Sequence, residues 1–271
     1  MSDMQYKEVN YNISMQEHKY GDNIHLLSNP ILMTQLAKLC FKTTIQPQVN
    51  ELITFIYRSM TAILINHRFP RINVKKETRM IDYNKEAIFE GQIIDTEHKV
   101  VLVDLARAGM LPSLVCYQYL NNFLNPEGVR LDHIFINRKI NEKEEVIGTN
   151  LSGHKIGGGV DKSFVIFPDP MGATGISICN AVDVYKKQIA GTPDMMVAVH
   201  LIITPEYIKK VSQEHPDLQV YAIRLDRGLS SPEVLKTIPG THPEQEKGLN
   251  EKQYIVPGAG GLGEVINNSY I

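Results

Sequence analysis

Phe167-Pro168-Asp169-Pro170-Met171-Gly172-Ala173-Thr174-Gly175-Ile176-Ser177 is the stretch that decides how this chain is read. Residues 163–167 form a short apolar run, the mark of a buried strand, and residues 175–189 have the pattern of a helix. Between them lies a turn of small residues and hydroxyls. Small residues let a ligand approach the backbone, and the first N–H groups of a helix point at an anion. The hydroxyls of Thr174 and Ser177 add two more donors. Asp169 has the wrong charge for a phosphate but suits a sugar, whose hydroxyls it can accept. An ordinary strand-to-helix turn capped by Asp169 has the same composition, so the stretch alone leaves both readings open.

Outward from this turn the chain alternates. Strands are expected at 99–106, 131–137, 163–167, 195–203 and 218–225, with helices after Gly109 to Leu124 and from Thr204-Pro205 to His215. Thr204 and Pro205 make an N-cap and N1 pair. Upstream, Val49, Leu52, Ile53, Ile56, Tyr57, Met60, Ile63 and Leu64 recur at helical spacing, and residues 24–42 read as an earlier helix that begins after Asn29-Pro30. Strands alternating with helices imply an α/β fold with a mainly parallel sheet, whose ligands bind at the carboxyl ends of the strands. Two polar segments interrupt the pattern: 141–161, glycine-rich and expected to be a mobile flap, and 230–247, expected to be an exposed insertion.

Two other turns belong to the same edge. Ala106-Arg107-Ala108-Gly109 follows the first strand and offers backbone N–H groups beside an arginine whose rigid fork fits phosphate oxygens. Arg138 follows the second strand. Near the C-terminus, Tyr254-Ile255-Val256-Pro257-Gly258-Ala259-Gly260-Gly261-Leu262-Gly263-Glu264 contains G-x-G-x-x-G, but the chain ends eight residues after Gly263, too soon for the strand and acid of a dinucleotide site. A loop of this kind presents main-chain groups to a flat ring, or is a flexible tail.

Composition narrows the classes. The 271 residues carry a net charge of −2, with 43% hydrophobic and 21% charged residues, which fits a globular protein without a broad basic surface for nucleic acid. The N-terminus lacks the apolar core of a signal peptide, and the longest apolar run is short and broken by His200, so no membrane partner and a cytoplasmic location are expected. Cys40, Cys116 and Cys179 lie far apart and have no metal spacing, so no protein-held metal is expected.

Together and in this order the three turns resemble those of the uracil phosphoribosyltransferase family. DPMGATGIS is similar to its phosphoribosyl-pyrophosphate motif, LARAGM to its pyrophosphate loop, and YIVPGAGGLGE to its uracil loop. The resemblance implies one phosphoribosyltransferase-type domain over 1–271, with an extension at 1–23, an N-terminal helical region, and a flap or hood over the strand ends. It implies that Arg107, Ala108, Gly109 and Arg138, with Asp169, Pro170, Met171, Gly172, Ala173, Thr174, Gly175, Ile176 and Ser177, bind phosphoribosyl pyrophosphate. Asp169, Arg107 and Arg138 are the residues on which turnover is expected to depend. Ile255, Gly260, Gly261 and Leu262 would meet uracil, giving UMP for pyrimidine salvage. Mg²⁺ held mainly through the substrate, and a homodimer or larger homo-oligomer, are further implications. One departure stands out: the family's aspartate in the uracil loop falls on Gly261. A non-catalytic ligand-binding homologue, or a transferase for another base, therefore remain alternatives. The pair Gly228-Leu229 also recurs as Gly248-Leu249, which marks 230–247 as inserted beside the base loop.

Overall fold

The computed structural model describes residues 3–140 and 146–269, with residues 137–140 and 146–151 described by their backbone alone. In chain order the elements are β1 (Ile24–Leu26), α1 (Pro30–Cys40), α2 (Gln48–Arg68), β2 (Arg71–Glu77), β3 (Ile88–Ile94), β4 (Lys99–Ala106), α3 (Met110–Asn121), β5 (Val129–Ile140), β6 (Val146–Lys155), β7 (Ser163–Pro168), β8 (Met171–Gly172), α4 (Ile176–Gln188), β9 (Met195–Ile203), α5 (Pro205–Glu214), β10 (Gln219–Leu225), α6 (Pro232–Leu235) and α7 (Leu262–Asn267). The main sheet runs β1-β10-β9-β7-β4-β5-β6, with β8 paired to β9. All its pairings are parallel except β5 with β6.

Period-two alternation within nearly continuous apolar strands builds a core on each face. In β4, Val100 and Leu102 belong to the core under α1, α2 and α3, whereas Val101, Val103 and Leu105 belong to the core under α4 and α5. β9 divides in the same way, with Val197, Val199 and Leu201 on the first face and Met196 and Ala198 on the second. The buried face of α2 contains Val49, Leu52, Ile53, Ile56, Tyr57, Met60 and Leu64, the helical stripe read in the sequence.

Two expectations are corrected. Residues 24–26 are not the start of a helix: they form edge strand β1, parallel to β10, and α1 begins only at Pro30, where Asn29 caps it by accepting from Leu32 N. Three residues are too few to show a period, so their apolar character merged with that of the helix. Within 141–161, residues 146–155 form β6 rather than a loop, antiparallel to β5 from His133↔Lys155 to Ile140↔Val146; residues 141–145 lie outside the described ones. The ladder to β5 holds this polar, glycine-bearing strand, so hydrophobic periodicity had nothing to report.

The 230–247 segment is exposed along most of its length, as expected, but it is anchored by a buried carboxylate. Glu246 is 6% exposed. It accepts from Gly240 N at 2.7 Å, pairs with Arg227 at 3.2 Å, and is bonded by the Tyr20 hydroxyl of the N-terminal segment. A buried carboxylate with three partners gives the segment a fixed path, with α6 inside it. Its two ends close on each other through Leu229 N to Lys247 O, 3.0 Å, and both touch Val256 of the base loop: Gly228 N donates to Val256 O, and Val256 N donates to Gly248 O. The two copies of the Gly-Leu pair thus flank one residue.

Candidate active site

The topology itself places the site. From β4 the chain moves outward to β5 and β6, then returns to β7 on the other side of β4. The crevice beyond a sheet's carboxyl edge at such a reversal is where α/β proteins bind ligands. The turns after β4 and β7 are therefore neighbours. A Cβ on Gly109 would lie 2.8 Å from Leu105 O and 3.1 Å from Pro168 O, so only glycine lets the first turn fold back between its own strand and β7. The Ala106–Arg107 peptide bond is cis.

A cavity of about 710 Å³ opens over these ends. It is lined by Arg107 and Ala108 from the β4 turn, and by Asp169, Met171, Gly172, Ala173, Thr174, Gly175 and Ser177 from the β7 turn. Ile255, Gly260, Gly261, Leu262 and Glu264 line its other wall, with Phe135, Ile136 and Ser152 from the β5–β6 hairpin. All three turns read in the sequence thus meet in one space.

Not every expected residue reaches it. Gly109 is buried in the packing just described. Pro170 is buried with its carbonyl accepting from Leu201 N and Ile202 N, so it anchors the turn to β9. Ile176 does not line the cavity either, because successive helical side chains diverge and Ser177 and Ile178 take the inward face. The backbone of Arg138 pairs with Thr149 in the hairpin, and its side chain lies outside the described residues.

The β7 turn is held from below. Gly175 precedes α4 with φ 79°, the left-handed region that favours glycine, and Thr174 Oγ1 accepts from Ile176 N at 3.4 Å. Thr204 caps α5 by accepting from Tyr207 N at 3.0 Å and donates its own hydroxyl to Ala173 O at 2.6 Å. The predicted cap thus also fixes the β7 turn. His200, fully buried, joins Asp169 O and the Tyr207 hydroxyl. Burial pushes its pKa down to about 4, which keeps the ring neutral.

Two charged groups were not found from the sequence, one behind the cavity wall and one in it. Asp226, 2% exposed, accepts from Arg224 Nε at 2.6 Å and Nη2 at 2.9 Å, and from Gly258 N at 2.7 Å. Arg224 Nη2 also donates to Gly258 O at 3.1 Å. The pair grips both main-chain groups of Gly258, whose φ of 64° starts the glycine-rich part of the loop. Asp226 stands just past β10 as Asp169 stands just past β7, and that shared position was the available signal. The second group is Glu264, whose Oε1 lies 3.0 Å from Arg107 Nη2. Arg107 Nη1 donates to Ser269 Oγ at 2.8 Å, so its fork spans two partners.

A mainly parallel sheet whose carboxyl edge carries two turns of small residues facing a glycine loop defines an α/β protein of the ligand-cleft class. The model of the uracil phosphoribosyltransferase family matches residues 26–242, and the chain belongs to that family. It is 35% identical over 169 residues to the uracil phosphoribosyltransferase of Mycoplasma capricolum, an alignment covering 62% of this chain and 65% of that one. With the uracil phosphoribosyltransferase of Polaromonas naphthalenivorans it shares 28% identity over 248 residues, 90% of this chain and 97% of the relative. Among solved structures it is similar to the AQ2163 protein from Aquifex aeolicus, with a TM-score of 0.68 and 19% identity over 90% of this chain and 97% of that one, which establishes the fold alone.

Proposed function

We propose that the chain is a uracil phosphoribosyltransferase that joins uracil to phosphoribosyl pyrophosphate and releases UMP and pyrophosphate. The observation that carries this reading is the convergence of three turns on one cavity: an arginine turn, an anion socket with an acid, and a loop of main-chain donors and acceptors. The names of the relatives favour uracil over the two alternatives opened by Gly261.

In the reaction, N1 of uracil forms a bond to the anomeric carbon and loses its proton. The bond from that carbon to the pyrophosphate oxygen breaks, and the oxygen keeps the pair. No covalent intermediate on the protein is required. The residues work by position and charge. Arg107 and the Ala108 region hold pyrophosphate, and Thr174, Gly175 and Ser177 hold the 5-phosphate. Asp169 accepts from the sugar hydroxyls, while Ile255, Gly260 and Leu262 take the ring edge. Tyr254 is half exposed beside them, and Phe135 of the hairpin, 48% exposed, stands at the mouth where a bound ring would cover it.

Mg²⁺ belongs to this reading as an ion that would be carried mainly on the substrate's oxygens and would offset the charge of the departing pyrophosphate. The cavity fits that arrangement. It offers the carboxylates of Asp169 and Glu264, and the group of potential ligands that comes together among the described residues, Cys179, Glu214 and His215, lies elsewhere. No helix among the described residues is long and apolar enough to cross a membrane. A cytoplasmic, homo-oligomeric enzyme is part of the proposal. Phe41, Ile45 and Phe55, all exposed on the α1–α2 side, support the association.

The test is UMP formation from uracil, phosphoribosyl pyrophosphate and Mg²⁺ by the purified protein, against a panel of other bases. UMP is expected, with Asp169→Ala and Arg107→Ala both folded and strongly impaired. Full activity in both variants would dismiss the site, and product from another base alone would dismiss uracil.

A further inference from the structure

The base loop hangs from a part of the chain that the reaction itself does not use. Residues 248–256 form a small hairpin: Val256 N donates to Gly248 O at 2.9 Å, Leu249 bridges Ile255, and Asn250 N donates to Tyr254 O at 3.0 Å. Tyr254 and Ile255 of this hairpin line the cavity. One side is fixed by α5, where Glu206 accepts from Gly248 N at 3.0 Å and from Leu249 N at 3.1 Å. The other is fixed by residues 226–228, just past β10. Asp226 accepts from Gly258 N at 2.7 Å, and Gly228 N donates to Val256 O at 3.0 Å.

Arg227 stands between those two contacts, and its side chain is bound into the 230–247 segment. Nη1 donates to Val234 O at 3.2 Å, and Nη2 donates to Leu235 O at 3.3 Å and to Thr237 O at 2.5 Å. These carbonyls close α6, so one guanidinium gathers the segment around itself. Nη1 also pairs at 3.2 Å with Glu246, whose side chain has 0% exposure. Glu246 accepts from Gly240 N at 2.7 Å and from the Tyr20 hydroxyl. Tyr20 belongs to the N-terminal segment, whose Lys19 N donates to Pro239 O at 2.8 Å. A Cβ on Gly240, where φ is 83°, would lie 3.0 Å from Lys19 C, so glycine permits this approach. Three parts of the chain thus converge on one buried ion pair, and neither of its residues lines the cavity.

We propose that Arg227, Glu246 and Tyr20 are positioning residues for the base: they hold residues 226–228 against the base loop and so set the affinity for uracil without touching it. The inference deepens the uracil phosphoribosyltransferase reading and rests on it. Gly258 and Gly260, at φ 64° and 71°, give the loop a freedom that a bound ring must remove. A carboxylate buried among three donors fixes Arg227, and the backbone on either side of Arg227 fixes the loop at Val256 and Gly258. With that support broken, the loop is competent in only part of the population, and the apparent affinity falls by that fraction. Phosphoribosyl pyrophosphate is held by the β4 and β7 turns, which have supports of their own. Turnover is spared as well, because a bound ring has already ordered the loop.

Glu246→Gln keeps the shape and removes the charge that faces three donors, and Tyr20→Phe removes one of those donors. KM for uracil is expected to rise about fivefold or more in the first and about two- to threefold in the second, with kcat and KM for phosphoribosyl pyrophosphate within about twofold of native. Two controls accompany them. Glu244→Gln alters an exposed acid of the same segment, paired with Lys209 at 2.6 Å, and is expected to leave all three constants unchanged. Thr61→Val removes a buried hydroxyl of α2, bonded to Tyr57 O and Cys116 Sγ, and is expected to lower the thermal midpoint without moving either KM. Amide hydrogen exchange reads the link without turnover: exchange across 254–260 is expected to quicken in Glu246→Gln, and that across 107–113 and 172–178 to stay as in the native protein.

Circular dichroism identifies a variant that fails to fold, in which case Tyr20→Phe decides. An unchanged KM for uracil in every folded variant of Glu246 and Tyr20 would overturn the inference. So would equal rises in both KM values, or exchange that quickens over the whole cleft, since the pair would then support the domain rather than the base loop. Absence of UMP formation by the unaltered protein would instead overturn the parent reading, and the inference with it, so the two failures are distinct.

Discussion

His200 Nδ1 lies 2.5 Å from the carbonyl oxygen of Asp169. A carbonyl only accepts, so Nδ1 carries the proton and Nε2 accepts from the Tyr207 hydroxyl at 2.7 Å. The tautomer of one buried ring therefore links the acid of the β7 turn to α5. The neutral form is favoured because the fully buried ring would have to carry a desolvated charge.

This linkage has a pH dependence. Burial lowers His200 from 6.5 to about 4, and His25, buried beside Arg68, is lowered to about 4 as well. Between these values the unfolded chain binds the protons and the folded one does not, so stability is full above about pH 6.5 and falls as pH drops towards 4. The slope approaches 1.4 kcal/mol per pH unit for each histidine, of order 3 kcal/mol for the two together. Urea denaturation at pH 7.5, 6, 5 and 4.5 is expected to show this loss, and His200→Asn to reduce the slope by about half. A native stability unchanged between pH 6.5 and 4.5 would contradict the neutral, buried ring.

Gly109→Ala tests the close approach between the β4 turn and the end of β7. Its φ is −75°, so the added methyl group meets no backbone strain, only the fixed atoms Leu105 O, Leu105 N and Pro168 O. Because these are main-chain atoms of adjacent strands, they cannot yield as a side chain would. A loss of about 1–3 kcal/mol is expected. Turnover is expected to fall more than stability does, since the methyl group wedges Arg107 away from Asp169. Thermal denaturation and steady-state kinetics read the two effects separately.

The Arg224–Asp226 pair carries a prediction about the base. Asp226→Ala leaves the partly buried Arg224 without its counter-ion and Gly258 N without its acceptor, a cost of about 1–3 kcal/mol. Asp226→Asn is milder. It keeps an acceptor for Gly258 N and removes the charge that orients Arg224, so the protein is expected to fold while KM for uracil rises several-fold and KM for phosphoribosyl pyrophosphate stays near its native value. Equal rises in both constants would mean that the pair supports the whole cleft rather than the base loop.

What the sequence could reveal follows from which forces leave a local trace. Strands such as β4 and β9 are buried on both faces, so their apolar runs were plain, and Thr204-Pro205 announced α5 because capping is a local event. The hairpin β2–β3 left no trace: Arg71–Glu77 has no buried residue and is held by pairing with its neighbour. β6 was hidden for the same reason. In the site, the glycine and hydroxyl turns were legible because backbone approach demands particular residue types. Asp226 and Glu264 were not, since an acid beside a strand end or in a short helix looks like any surface acid until the fold brings Gly258 or Arg107 against it. At Gly261 the sequence showed a missing carboxylate, and only the structure shows that Glu264 Oε2 stands where a Cβ on that residue would fall.

Arg107 tests whether the fork geometry at the β4 turn matters for the proposed pyrophosphate contact. Its two terminal nitrogens reach separate partners, Ser269 Oγ and Glu264 Oε1, so the guanidinium is held as a fork at the cavity wall. At 38% side-chain exposure it contributes little to stability through the pair with Glu264. Arg107→Lys keeps the charge and loses the fork: a single ammonium cannot span both partners or meet two phosphate oxygens in parallel. The thermal midpoint is therefore expected to shift by no more than a degree or two, while kcat/KM for phosphoribosyl pyrophosphate falls by about tenfold or more, the order of one lost charge-assisted hydrogen bond. Arg107→Ala is expected to fall further, since the charge is lost as well. Lysine supporting native kcat/KM would show that a point charge suffices at this turn and that the bidentate geometry is incidental.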